Sequence, residues 1–207
     1  MRYLIPSIVG LSLCSTLALA RPTDSVAPPP GTQSSWAAHE LTGRVEILLL
    51  NPHGELDGFI LDGGQQVHFP PHLGEAVAAR IKPGDQVALR GQQEHSLRLR
   101  AYALRNLAGG AEIVDQGPMA PPPLPPHLRQ AALQPLSAQG KVSHLLYGRR
   151  GEINGVVLDS AAIVRFKPQL AYHYASLLQV GQAVRVQGLG SENALGRALH
   201  AEQLSGL

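Results

Sequence analysis

The chain aligns on itself. Displaced by 97 residues, Gly43 falls on Gly140, Val45 on Val142, Gly54-Glu55 on Gly151-Glu152, Gly58 on Gly155 and Leu61-Asp62 on Leu158-Asp159. The match runs on through Val67/Val164, Phe69/Phe166, Pro71/Pro168, Leu73/Leu170, Gly84/Gly181, Val87/Val184 and Gly91/Gly188 to Arg100-Ala101/Arg197-Ala198 without a gap. Chance rarely places so many identities at one constant offset, so the chain is read as one folding unit present twice.

Within each unit the pattern reads strand, strand, strand, helix, strand, strand. In the first, Thr42 to Leu50 is aliphatic and β-branched enough for a strand, and Asn51-Pro52-His53-Gly54 is a turn signal. A second strand follows from Glu55 to Leu61, and Asp62-Gly63-Gly64 turns the chain into a third from Gln66 to Phe69, with Val67 and Phe69 inward. Pro70-Pro71 ends that strand and opens a helix near His72, whose Leu73, Val77 and Ile81 form one buried stripe. Pro83-Gly84-Asp85 stops it. Gln86 to Gly91 is expected as a fourth strand, and Leu97 to Leu104 as a fifth with Leu97, Leu99 and Ala101 on one face and Arg98 and Arg100 on the other.

Outside the repeats the composition changes. Met1-Arg2, the apolar stretch Leu4 to Leu19 and Ala18-Leu19-Ala20 before Arg21-Pro22 have the layout of a secretory signal peptide, so residues 1–20 are expected to be removed and the chain to be periplasmic or secreted. Cleavage would remove the only cysteine, Cys14, leaving no disulfide or cysteine metal site. It would also remove Arg2, taking the 17 basic side chains to 16 against 15 acidic ones, which is not the charge balance of a general nucleic-acid binder. Residues 21–40 read as a flexible leader, 41–107 as the first domain, 108–136 as a proline-rich spacer and 137–207 as the second domain. The expected fold class is therefore mainly β, with two tandem five-stranded barrels, each carrying one helix between strands 3 and 4.

Gly54-Glu55-Leu56-Asp57-Gly58-Phe59-Ile60-Leu61-Asp62, Val67-His68-Phe69-Pro70-Pro71-His72-Leu73 and Lys82-Pro83-Gly84-Asp85 resemble a group of exported proteobacterial proteins described as OB-fold, nucleic-acid-binding-like. The resemblance covers both repeats and implies the OB fold. The second copy departs from it where Pro70 becomes Lys167, His72 becomes Gln169 and Gly63-Gly64 becomes Ser160-Ala161.

An OB barrel usually binds across strands 2 and 3, flanked by the loops between strands 1 and 2 and between strands 4 and 5. The candidate binding residues on that surface are Asp57, Phe59, His68, Arg98 and Arg100 in the first copy and Asn154, Arg165 and Arg197 in the second. Single-stranded nucleic acid is held there by stacked rings and a basic groove. Phe69 and Phe166 alternate inward, which leaves Phe59 and Tyr102 as the exposed rings expected of the first copy. The first copy has seven basic and seven acidic side chains between Leu41 and Leu107. The second has seven against four between Ser137 and Leu207, with Arg149-Arg150 at a loop tip, and is the better candidate for an anionic partner.

His68 and His72 have the spacing of a helical zinc pair, but Pro70-Pro71 breaks the helix that spacing needs, so no metal site is assigned. Asp62 and Asp159 recur as turn residues and no nucleophile stands beside a base, so no catalytic residue and no cofactor are assigned. The expected function is an exported, non-enzymatic binding module whose ligand is an oligosaccharide, a peptide or an envelope protein. The alternatives are a single-stranded nucleic-acid binder, disfavoured by charge and rings, and an envelope scaffold without a small ligand. No membrane span is expected after cleavage, and the oligomeric state is left open.

Overall fold

The computed structural model describes residues 39–117 and 133–207. The expected signal peptide, most of the leader and the proline-richest part of the spacer lie outside these residues.

The first barrel is built from β1 (His39–Leu50), β2 (Leu56–Leu61), β3 (Gln66–His68), β4 (Gln86–His95) and β5 (Arg98–Asn106). Antiparallel pairs β1–β2, β2–β3, β1–β4 and β4–β5 are closed by the parallel pair β3–β5, in which Val67 faces Leu99. Going round, the order is 1-2-3-5-4 and back to 1, the topology of an OB barrel. A two-residue strand, β6 (Ile113–Val114), pairs with the far end of β5, inside the stretch expected to be spacer. The second barrel repeats the order with β7 (Gln134–Tyr147), β8 (Ile153–Leu158), β9 (Ile163–Arg165), β10 (Ala183–Asn193) and β11 (Gly196–Gly206), closed by the parallel pair β9–β11.

Between strands 3 and 4 of the first barrel, Pro71–Leu73 forms a tight helical turn that runs into α1 (Gly74–Ala78). Pro71 tolerates the first helical turn because its missing N–H would have no partner there. Leu73, Val77 and Ile81 are all buried, as their spacing predicts. In the second barrel α2 (Pro168–His173) takes the same place.

Each barrel is filled by the inward positions of its strands, with Val45, Val67, Phe69, Val87, Leu89, Leu99 and Ala101 in the first and Val142, Val164, Phe166, Val184 and Val186 in the second. Leu97, expected inward with Leu99, is exposed because it sits in the β4–β5 turn, one residue before β5 begins.

The repeat has one gap after all. Val67 pairs with Leu99 but Val164 pairs with Leu199, so the offset is 97 residues as far as Gly91/Gly188 and 100 in the last strand. The β10–β11 hairpin is longer, which makes Ala201, not Ala198, the equivalent of Ala101, and His200, not Arg197, that of Arg100. Both hairpins carry a bulge just before the glycine, between Arg90 and Gly91 and between Gln187 and Gly188. Glycine is required at these positions because a Cβ on Gly91 or Gly188 would run into the carbonyl of Arg100 or His200 on the neighbouring strand.

The β2–β3 turn shows the cost of one departure in the second copy. Gly64 has φ +77°, and its counterpart Ala161 is held at φ +62°, a left-handed conformation that an L-residue with a Cβ disfavours. Ala161→Gly is expected to raise stability by about 0.5–1 kcal/mol. An unchanged or lower urea midpoint would refute this.

Candidate functional site

The two barrels belong to one compact unit, and their strand 2–3 sides are turned toward each other. The core cluster of the first barrel includes Leu146, Val157, Ile163 and Ala198 from the second, so apolar packing is continuous across the seam. Polar groups then fix the register. Gln66 is buried at the start of β3, and its amide donates from Nε2 to the Leu145 carbonyl (2.7 Å) while Oε1 accepts the Tyr147 N–H (3.0 Å). The Arg98 guanidinium donates from Nη1 to the Tyr147 carbonyl (2.7 Å) and from Nε to Glu94 (2.6 Å). Glu94 also receives Arg149 Nε of the second barrel at 3.2 Å.

The loops that flank an OB binding face meet their counterparts crosswise. Asn193, at the β10–β11 turn, donates to the Gly54 carbonyl in the β1–β2 loop (2.9 Å). At the other end His95, beside the β4–β5 turn, stacks on Tyr147 with ring centres 6.1 Å apart and lies against Gly151 of the β7–β8 loop. The exchange is two-fold in character, each barrel placing its strand 1–2 loop on the strand 4–5 turn of the other.

At the middle of the seam Arg165 donates to Asp57 at 3.3 Å. Applying the 97-residue offset to this pair gives His68 and Asn154. Those two side chains carry buried polar atoms, His68 Nε2 and Asn154 Oδ1, that have no hydrogen-bond partner among the described residues. The ion pair is thus not repeated at the equivalent positions, where both polar atoms are unmet.

Burial decides the electrostatics here. Loss of water raises the Asp57 carboxyl above its ordinary value of 3.8, and the nearby guanidiniums of Arg165 and Arg98 offset only part of that rise. Desolvation also lowers Arg165, with Asp57 pulling the other way. His68 is only 8 % exposed, and desolvation, followed by the charges of Arg165 and Arg98, pushes its imidazole well below 6.5. A hydrogen bond to the Asp57 backbone carbonyl opposes this and is outweighed. His68 is therefore neutral at pH 7. Because the unfolded imidazole takes up a proton that the folded one refuses, this residue's contribution to stability is present above pH 6.5 and is lost as the pH falls toward the folded value.

Beside this cluster opens a cavity of about 300 Å³ lined by Asp57, His68, Phe69, Pro70, Pro71, Glu94, Arg98, Arg100 and Arg149. Four of the eight residues expected to bind, Asp57, His68, Arg98 and Arg100, line it, and Arg165 stands behind Asp57. Asn154 does not line it, and its Oδ1 is buried without a partner among the described residues. Phe59 does not belong to the site: it is 0 % exposed and packs on Phe69 with ring centres 5.9 Å apart. The expectation of an outward ring failed because Phe59 stands directly opposite Val67 across β2–β3 and so shares the inward face of its own barrel, while Gly58 and Ile60 take the other face with His68 and Gln66. Tyr102 is exposed, at 39 %.

Arg197 is also absent from the cavity. It donates to the Ser137 carbonyl and to both oxygens of Glu192, in a separate groove of about 780 Å³ shared with Arg185 and Asn193. His72 pairs with Asp115 at 3.0 Å, whereas His68 lies in the seam, so the two histidines serve different contacts. Glu94 and Arg149 were not among the site candidates. Arg149 stood out as a charged loop tip, but nothing local indicated that it would meet Glu94 of the other copy.

No protein-family description and no curated protein matches the chain. Among solved structures it is similar to the single-stranded DNA-binding protein from Thermus aquaticus, wild type and a deletion mutant. Both share 16 % identity and a TM-score of 0.25, covering 81 % of this chain and 91 % and 92 % of theirs respectively.

Proposed function

We propose that the chain is an exported, non-enzymatic binding module of the periplasm or extracellular space, which takes an acidic oligosaccharide or peptide at the rim of the seam between its two barrels. The observation that carries this reading is the charge of the seam. Arg98, Arg100, Arg149 and Arg165 gather there against two carboxylates, Asp57 and Glu94. Because the strand 2–3 sides face each other, an extended polymer has no open barrel face to lie along, and the accessible chemistry is at the mouth of the cavity. The same geometry weighs against a single-stranded nucleic-acid binder, which needs exposed rings and a continuous basic groove.

A mixed array of glycans, peptides and single-stranded oligonucleotides, probed with the full chain, tests the reading. Acidic glycans or peptides are expected to be retained, with hits weakened by Arg149→Ala. Retention of oligonucleotides alone, lost steeply with added salt, would establish the nucleic-acid reading instead.

A further inference from the structure

We infer that the open edge of β11 is a docking site for an extended segment of a partner protein, which adds a strand to the second barrel and carries a branched aliphatic residue two positions before an acidic one. The site is additional to the seam, since no residue lining its groove lines the seam cavity.

The first barrel supplies the template. Past its parallel contact with β3, the edge of β5 is taken by β6, which runs antiparallel with Ile113 opposite Leu104 and Val114 opposite Ala103. The next residue, Asp115, donates its N–H to the Tyr102 carbonyl (2.7 Å), and its carboxylate pairs with His72 in the helical turn (3.0 Å). Ile113 is buried and belongs to the core cluster. The added strand is thus held by main-chain hydrogen bonds, by one aliphatic anchor and by one carboxylate beside the helix.

The second barrel has the same edge without the strand. Glu202, Gln203 and Leu204 stand where the first has Tyr102, Ala103 and Leu104, a register that the β10–β11 and β4–β5 pairings share residue for residue. Leu207 donates to Ala183 on β10, so alternation turns the N–H and C=O of Leu204 the other way, toward the edge. Beyond Ala198–His200, which pair with β9, no described strand meets that edge. Along it runs a groove of about 720 Å³ whose walls include Gln169 and Glu202, the counterparts of His72 and Tyr102, with Leu170 as an apolar wall. An unpaired edge beside such a groove is where an extended peptide adds, main-chain bonds giving affinity and the flanking pockets giving specificity. The substitutions between the copies suit an acid. Lys167, where the first copy has Pro70, lines the groove and has no ion pair with a described carboxylate, and the Gln169 amide offers a donor where His72 does. Glu202, the one carboxylate on these walls among the described residues, is exposed as Tyr102 is.

A fluorescent peptide with the sequence of residues 110–117, titrated into the full chain, tests this. Saturable binding is expected, with hydrogen exchange at the Leu204 amide slowed. Proline in place of the peptide's aspartate removes the N–H that the Glu202 carbonyl would accept and should weaken binding about tenfold or more. Lys167 is exposed, so Lys167→Glu should leave the fold intact and weaken binding about threefold or more by turning an attraction into a repulsion. His72→Ala in the first groove and Arg149→Ala in the seam should leave binding unchanged. No saturable binding, indifference to both the proline and Lys167→Glu, or a loss with His72→Ala or Arg149→Ala in place of Lys167→Glu would overturn the proposal. If acidic glycans were still retained on the array and lost with Arg149→Ala, the binding-module reading would stand without it.

Discussion

Arg165→Met is expected to lower stability by about 3 kcal/mol at pH 7, read as the loss in unfolding free energy by urea denaturation. The guanidinium and its partner Asp57 are both largely buried, with side chains 12 % and 21 % exposed. Removing the cation leaves a carboxylate that has already lost much of its hydration and now has only Arg98 nearby to offset its charge. The pH dependence identifies the cause. Asp57 has a raised carboxyl, so the folded protein binds more protons there than the unfolded chain does, and acidification favours folding at this residue. Without Arg165 the rise is larger. The deficit of the variant relative to wild type should therefore shrink as the pH falls toward 4 to 5, and Asp57→Asn in the same background should restore part of the loss at pH 7. A deficit independent of pH, or one that Asp57→Asn leaves unchanged, would show that the pair does not hold the seam.

The second large effect is expected at Gln66. Gln66→Leu keeps the volume roughly constant but strands the Leu145 carbonyl and the Tyr147 N–H, which the amide meets at 2.7 and 3.0 Å. Each unmet buried backbone group costs about 1–3 kcal/mol, so a loss of about 3 kcal/mol is expected, with Tm falling by about 6–12 °C. The second barrel supplies the comparison. Ile163 occupies the equivalent position, is equally buried, and shows that an OB barrel of this sequence accommodates an aliphatic side chain at the start of strand 3. A loss in Gln66→Leu thus reports the hydrogen bonds across the seam and not barrel closure. A Tm within about 2 °C of wild type would mean that the barrels are held by apolar packing alone.

The two variants act on different bonds of one interface. Leu146, Val157, Ile163 and Ala198 supply the apolar area, while Gln66, Arg98 and Arg165 specify how the barrels meet. The cationic cavity exists because of that register. Arg149 comes from the second barrel and Arg98 and Arg100 from the first, and Glu94 bridges two of the three.

How the amino-acid sequence divides from the tertiary structure in this protein follows from range. Strand alternation, the turn glycines and the Pro70-Pro71 break are local, acting within a few residues, and they were enough to identify two five-stranded barrels with Val67, Phe69, Leu73, Val77 and Ile81 inside. The same local rules misplaced Phe59, because the inward side of β2 is set by its pairing with β3, where Phe59 stands opposite the inward Val67, and not by β2 alone. They misaligned the last strand as well, where a longer hairpin shifted Arg197 away from the position of Arg100. Asp57, His68, Arg98 and Arg165 were legible as polar residues on the expected binding face. Their convergence in one seam, with an unmet His68 nitrogen among arginines, was settled only when the two faces closed on each other, since contacts between residues about 100 positions apart depend on how whole barrels dock and leave no periodic trace along the chain.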